Sequence, residues 1–335
     1  MNCAMRRQSY DEILRVPHDV ARIDIPTAYA DRRIGFSVVR AIKSKISGLA
    51  SLEDSLGSGR LHSTAKAELS LISTLLARAT YDPPVGMALQ TMAAEAAAEC
   101  AWIAFDSGQH SVADAYYSFG LQAANTAGTA CLKSYLLVNL AFQRIEIGQT
   151  SDAFILLRAA ESAAHEGQAV RVTALVHAVR ALVHADWGDA TACARATDSA
   201  RSAIQRSEAH NSTDPAYWVT ESVVEFFAGT ALLRLGRAKD AIGHFEMLHS
   251  GAFPVQRYPR DAAIYYSQAA TAHLKAGNFD TAVDCADAAL KLLDYVCSAR
   301  ATEAMTHVSR ALSRYRTIIP VREFLDRFQE RGSSP

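Results

Sequence analysis

From about residue 36 to residue 330, small and apolar positions recur at helical spacing, and charged and amide residues fill the remaining faces. Runs in which Val, Ile and Thr alternate with polar residues, as half-buried strands require, are absent. The pattern predicts helices over approximately 36–56, 60–79, 84–107, 110–127, 129–147, 150–166, 169–187, 190–206, 216–235, 238–249, 258–276, 279–294, 297–316 and 320–330. Pro83, Pro84 and Pro215 stand just ahead of periodic runs, where a first-turn proline sacrifices no helical hydrogen bond. No proline interrupts residues 85–214.

The pattern also repeats. Gly108, Gly148, Gly188, Gly236 and Gly277 follow one another at steps of 40, 40, 48 and 41 residues. Seven residues before each stands a small residue: Ala101, Ala141, Ala181, Gly229, Ala270. Five residues after come Ala113, Ala153, Cys193, Ala241 and Ala282, and twelve after come Gly120, Ala160, Ala200, Leu248 and Ala289. A glycine that ends one helix in the left-handed conformation, with small residues on both helices that flank it, describes a close antiparallel pair. The offsets resemble the tetratricopeptide (TPR) pattern, whose repeat is roughly 34 residues. The longer step adds about one turn to each helix at 3.6 residues per turn. The expected fold is therefore all-α: a TPR-like right-handed superhelix of antiparallel helix pairs with about 40-residue repeats. The 48-residue step holds the polar insertion "SEAHNSTDPAYW" (207–218).

Three regions follow. Residues 1–30 form an N-terminal tail, 31–80 a helical connector, and 81–335 the solenoid. The last predicted helix places Val321, Phe324, Leu325 and Phe328 at i, i+3, i+4 and i+7. Such a stripe caps the open end of a solenoid or, alternatively, forms a homodimer contact.

Composition narrows the function. Half of the residues are apolar, the net charge is −1 and the pI is near 6.8, so the chain lacks the basic footprint of a nucleic-acid binder. Charge is uneven, with mildly basic ends and a mildly acidic middle, which disfavours a strongly anionic ligand. The cysteines at 3, 100, 131, 193, 285 and 297 form no C-x-x-C pair, an arrangement that fits a reducing interior without disulfides. "MNCAMRRQSY" carries arginines with no apolar run behind them, so no signal peptide is expected. No uncharged apolar stretch reaches the ~18–20 residues of a membrane span. The expectation is a cytoplasmic protein without a membrane partner.

Several segments carry a resemblance. "LLARATYDPPVGMALQTMAAEAAAECAWIAFDSGQHSVADAYY" (75–117), "VNLAFQRIEIGQTSDAFILLRAA" (138–160) and "VREFLDRF" (321–328) resemble the TPR sensor region of actinomycete Xre-type helix-turn-helix transcriptional regulators. Residues 31–69 are similar to the helical connector of such proteins. The resemblance implies a regulatory sensor in transcriptional control of development or secondary metabolism. The chain departs from the pattern at its start. "DEILRVPHDVARIDIP" (11–26) resembles only the end of a helix-turn-helix domain, and the residues ahead of 31 are too few for its several helices. Direct DNA binding by this chain is therefore not expected; a helix-turn-helix factor truncated at its start codon is the alternative.

Nothing announces catalysis. His177 and His184 lie seven apart on one helix face without a third ligand at a useful offset, and read as packing residues. "GSGRLHST" (57–64) lacks the lysine and preceding strand of a phosphate loop. Glu95 with Glu99, and Asp284 with Asp287, read as solvated helix faces. No Gly-x-Ser-x-Gly elbow occurs. No enzyme activity, cofactor or metal is expected.

In a stack of helix pairs the first helix of each pair lines a concave face. On that face fall Trp102 and Phe105 of the first repeat, then Tyr135, Asn139 and Phe142 of the second. The fourth repeat adds Phe226 and Thr230, and the fifth adds Gln268 and Thr271. Aromatic anchors beside amides and hydroxyls suit a groove that holds a peptide, a small metabolite or a partner protein. By resemblance, Asn139 occupies the position where peptide-binding TPR proteins hold the ligand main chain. Two bland readings stand beside these: Trp102 and Phe142 as core, and Asn139 satisfying a neighbouring helix end. A scaffold with no small ligand is the rival function.

Overall fold

The structure, a computed structural model, describes residues 33–207 and 214–332. The N-terminal tail at 1–30 lies outside the described residues.

Fourteen α-helices form among them. The first two are α1 (Phe36–Leu56) and α2 (His62–Arg78). Then come α3 (Pro83–Asp106), α4 (His110–Ala127), α5 (Ala130–Glu146), α6 (Thr150–Glu166), α7 (Val170–Asp186) and α8 (Ala190–Gln205). The remainder are α9 (Glu221–Arg234), α10 (Ala238–Ala241), α11 (Pro259–Ala276), α12 (Phe279–Leu292), α13 (Ala299–Leu312) and α14 (Ile319–Gly332). The described residues contain no strand, only an isolated bridge between Arg33 and Thr80. Helices pack as adjacent pairs, α3 on α4, α5 on α6, α7 on α8 and α11 on α12.

The repeat glycines explain the pairing. Gly108, Gly148, Gly188, Gly236 and Gly277 all have φ between 73° and 87°, the left-handed region. In each turn the residue after the glycine donates its N–H to a carbonyl five residues back. The bonds are Gln109 to Ala104 (2.8 Å), Gln149 to Arg144 (2.7 Å), Asp189 to His184, Arg237 to Leu232 and Asn278 to His273 (2.9 Å each). These are five copies of one Schellman closure, which satisfies an orphan carbonyl and turns the chain back on itself. The small residues at the flanking offsets are buried at the contacts. At Gly229 a Cβ would sit 2.8 Å from the Phe245 ring, and at Gly120 it would sit 3.0 Å from Leu136, so both positions require the missing side chain.

The fourth repeat departs from expectation. Residues 238–249 are not one helix: α10 gives way to a 3₁₀ segment over Ile242–Leu248. Gly243 lowers helix propensity there, and the Phe245 ring is drawn against Gly229. The helix expected from 216 begins instead at Glu221. Asp214 Oδ1 accepts the Ala216 N–H at 2.9 Å, which holds a turn, and Thr220 is extended (φ −124°, ψ 175°).

The two ends of the described chain meet. Helix α1 packs against both α3 and α11. The Gly59 N–H donates to the Cys297 carbonyl (2.9 Å), and the Cys297 N–H donates to that of Leu56 (3.1 Å). The connector helix thus lies against both early and late helix pairs. At the C-terminus α14 covers α12 and α13, with Val321, Phe324 and Leu325 buried within the chain itself.

Two glycines give a graded test of this closure. Gly188 (φ +73°) has open space where a Cβ would go, so Gly188→Ala should cost only the left-handed strain, about 1–2 kcal/mol. Gly57 (φ +75°) would in addition place a Cβ 2.9 Å from the Cys297 carbonyl oxygen. Gly57→Ala is therefore expected to lose clearly more stability in urea unfolding; equal losses would contradict the tight seam between residues 57 and 297.

Candidate functional site

The first helices of the pairs converge on a partly open cavity of about 70 Å³. Ala98, Glu99 and Trp102 reach it from α3, Tyr135, Val138, Asn139 and Phe142 from α5, and Leu175 and Val179 from α7. Phe226 and Phe227 come from α9, and Arg260, Asp261, Ile264 and Tyr265 from α11. Arg300 enters from α13, Tyr217 and Trp218 from the turn before α9, and Ala50, Glu53 and Asp54 from α1. The connector therefore supplies one wall. A larger cleft of about 750 Å³ adjoins it, and the two share Ala50, Ala98, Glu99, Tyr135 and Tyr217.

Aromatic rings form the apolar side. Ring contacts run from Trp102 to Phe105 (5.6 Å between centroids), Phe142 (5.8 Å), Phe227 (5.6 Å) and Phe226 (5.5 Å). Phe226 then stacks on Tyr265 at 3.7 Å. Edge-to-face pairs of this kind fix the ring orientations. The Trp218 indole donates to the Tyr135 hydroxyl at 3.2 Å.

The opposite side is ionic. The Arg260 guanidinium donates to Glu53 across the α1–α11 contact, and its Nε donates to Asp261 at 2.8 Å. Arg260 and Arg300 both lie 5.3 Å from the Trp102 ring centre. Arg300 also lies over Phe105 (4.7 Å) and Phe142 (5.2 Å), and its nearest carboxylate is Asp106 at 3.7 Å. Asp106 in turn accepts from the Ser298 hydroxyl at 2.9 Å. The Tyr217 hydroxyl donates to Asp54 at 2.7 Å, and the Ser58 hydroxyl donates to Glu53 at the same distance.

Burial acts on the acids. It pushes Glu53 up to about 7; the Arg260 charge opposes this, and Asp106 adds to it. Asp54 is pushed up to about 6 by burial against the Tyr217 hydrogen bond. Glu99 is raised furthest, to about 8, by burial and then by the charges of Glu53, Asp54 and Glu95. The surface Glu99 does expose borders the cavity and cleft. Burial pulls the Arg260 pKa down, but Asp261, Glu53 and Asp106 together hold it well above its ordinary value.

The sequence-selected residues divide. Trp102, Tyr135, Asn139, Phe142 and Phe226 line the cavity. Phe105 is buried one ring behind Trp102, and Thr230, Gln268 and Thr271 lie outside the lining. Thr271 donates to the Ser267 carbonyl (2.9 Å), within its own helix. Asn139 likewise donates to the Tyr135 carbonyl at 2.8 Å, one turn back on α5. Glu99, read as a solvated face, lines the cavity instead, because α1 packs over that side of α3. His184 packs its ring on Phe154 and Trp187. No group of three or more His, Cys, Asp or Glu among the described residues is placed to hold a metal ion. No helix among them is long and apolar enough to cross a membrane.

Sequence reasoning missed Glu53, Asp54, Arg260, Arg300, Tyr217 and Trp218. One signal was present. Val39, Ile42, Ile46 and Leu49 form the buried stripe of α1, and Glu53 continues it in phase, an acid at a core position. Arg260 likewise shares the buried face of α11 with Ala263, Ile264 and Ser267.

Fold and site together define an all-α protein of paired helices around a polar, aromatic-walled cavity. No protein-family model matches the chain, and no curated protein matches it.

Proposed function

We propose that this chain is a non-catalytic regulatory sensor of the TPR-like kind, with helix pairs wound as a right-handed superhelix around a ligand in the central cavity. The observation that supports this most is the convergence of five first helices and the connector α1 on one partly open pocket. A long peptide would need an open-ended groove, so closure by α1 favours a small metabolite. An occupant that touches Glu53 or Asp54 acts on α1, and binding then shifts the population of docked and undocked connector. By the resemblance given above, the readout is transcriptional control through a partner or a linked DNA-binding unit.

The test uses Ala98, buried on α3 and lining both cavity and cleft. Small-molecule fractions of a cell extract are screened for a rise in melting temperature. A ligand at a hundred times its Kd adds about 2.7 kcal/mol, several degrees for a domain of this size. Ala98→Phe fills the space and should abolish the shift while the unliganded variant keeps its helical circular dichroism. Equal shifts in both proteins, or no active fraction, would favour a scaffold with no small ligand.

A further inference from the structure

Resting on that reading, we infer that the ligand is a small amine whose ammonium group pairs with the Glu99 carboxylate where the cavity adjoins the cleft.

The charged groups of the lining are otherwise occupied. Glu53 accepts from Arg260 and Ser58, Asp54 from Tyr217, and Asp261 from Arg260. Arg260 is spent on two carboxylates; Arg300 lies across three aromatic rings with Asp106 at 3.7 Å, and its Nε is buried without a hydrogen-bond partner. Glu99 has no hydrogen-bond or ion-pair partner among the described residues. In a lining that holds four carboxylates against two guanidiniums, Glu99 is thus the carboxylate left without a counter-charge, whereas Arg300 keeps Asp106 beside it. Once ionised, this half-buried carboxylate lacks a counter-charge, and a bound cation supplies one.

The surroundings suit an ammonium. Tyr135 and Tyr217 line both spaces beside Glu99, and both feel its charge. Their ring faces attract a cation. A metal ion would want several carboxylate or imidazole ligands converging on one point, and among the described residues no three such groups do so. Size sets the pose. The 70 Å³ cavity, less than a tenth of the 750 Å³ cleft, admits only a small group, whereas the cleft takes the body of a metabolite. An anionic ligand would face Glu99, Asp54 and Glu53 together.

The experiment titrates the full chain calorimetrically at pH 8.5, where Glu99 is largely ionised, with tyramine and cadaverine, and with 4-ethylphenol and 3-(4-hydroxyphenyl)propanoate, which replace the ammonium of tyramine by hydrogen and carboxylate. At least one amine is expected to bind at least tenfold more tightly than both of these. Glu99→Gln should weaken the amine at least tenfold without lowering the melting temperature. Glu161→Gln, at a carboxylate paired with Arg180 and outside both linings, should change it less than twofold. No amine binding, equal or tighter binding of the neutral or anionic compound, or amine binding indifferent to Glu99→Gln overturns the inference. A fraction whose effect depends on Ala98, combined with any of those results, leaves the sensor reading standing and removes only the amine. Amine binding indifferent to Ala98→Phe places it elsewhere and removes both.

Discussion

Replacing Arg260 with methionine is expected to cost the fold about 3–5 kcal/mol at pH 8, the usual penalty for stranding a buried charge. Arg260 is 3 % exposed, and its partner Glu53 is equally buried. Methionine keeps an unbranched apolar side chain but loses the guanidinium over Trp102, and it leaves Glu53 with only the Ser58 hydroxyl, 2.7 Å away. The loss measures that stranded acid and not the worth of the ion pair, because two buried charges cost almost as much to desolvate as they return. Glu53 has an escape: its pKa already stands at about 7, and a lost cation raises it further, so the side chain protonates as pH falls. The deficit should therefore shrink between pH 8 and pH 5.5. The double variant Arg260→Met, Glu53→Gln should regain much of it. Because this pair joins α1 to α11, amide exchange in α1 should accelerate more than in α5 or α7. Urea unfolding that shows a loss under ~1 kcal/mol, or a double variant no better than the single, would contradict this account.

How much of this was legible depended on whether the cause was local. The helix-ending glycines are local signals, since only a residue at ease with positive φ closes a Schellman turn, and all five stand at such turns. The small residues beside them needed only the 3.6-residue period to be placed at contacts. The broken fourth repeat was less legible, because a 3₁₀ segment and an α-helix share most of their propensities. The docking of α1 was not legible at all. It depends on Glu53 meeting Arg260 and on Asp54 meeting Tyr217, pairs separated by 207 and 163 residues. Five of the nine groove residues line the cavity because they lie on first helices, which the repeat frame identified. Gln268 and Thr271 do not, because the cavity meets α11 nearer its start, at Arg260, Asp261, Ile264 and Tyr265.

Glu99→Gln should stabilise the unliganded protein, and by an amount that depends on pH in a sense opposite to ordinary acid denaturation. The Glu99 pKa is raised from 4.5 in the unfolded chain to about 8 in the fold. Above pH 8 both states are ionised, and the folded state bears the whole cost of a half-buried, unpaired carboxylate. Between pH 8 and 4.5 the folded protein takes up a proton that the unfolded chain does not, so the cost falls; below 4.5 it is gone. At about 1.4 kcal/mol per pKa unit the ceiling is near 5 kcal/mol, and contact with water in the cavity brings the expected gain to roughly 2–3 kcal/mol at pH 8.5. Glutamine keeps the shape and removes the charge. Burial depresses the pKa values of His177, His184 and His273, which destabilises the fold as pH drops below 6.5. They do so in both proteins and cancel in the difference. The measurement is urea unfolding of the two chains from pH 8.5 to 4.5, with the gap between them closing as pH falls. A gap that stays constant would mean that glutamine acts through packing, and a gap of the opposite sign would mean that Glu99 already has a partner. Either result would remove the unanswered acid on which both the cavity electrostatics and the amine rest.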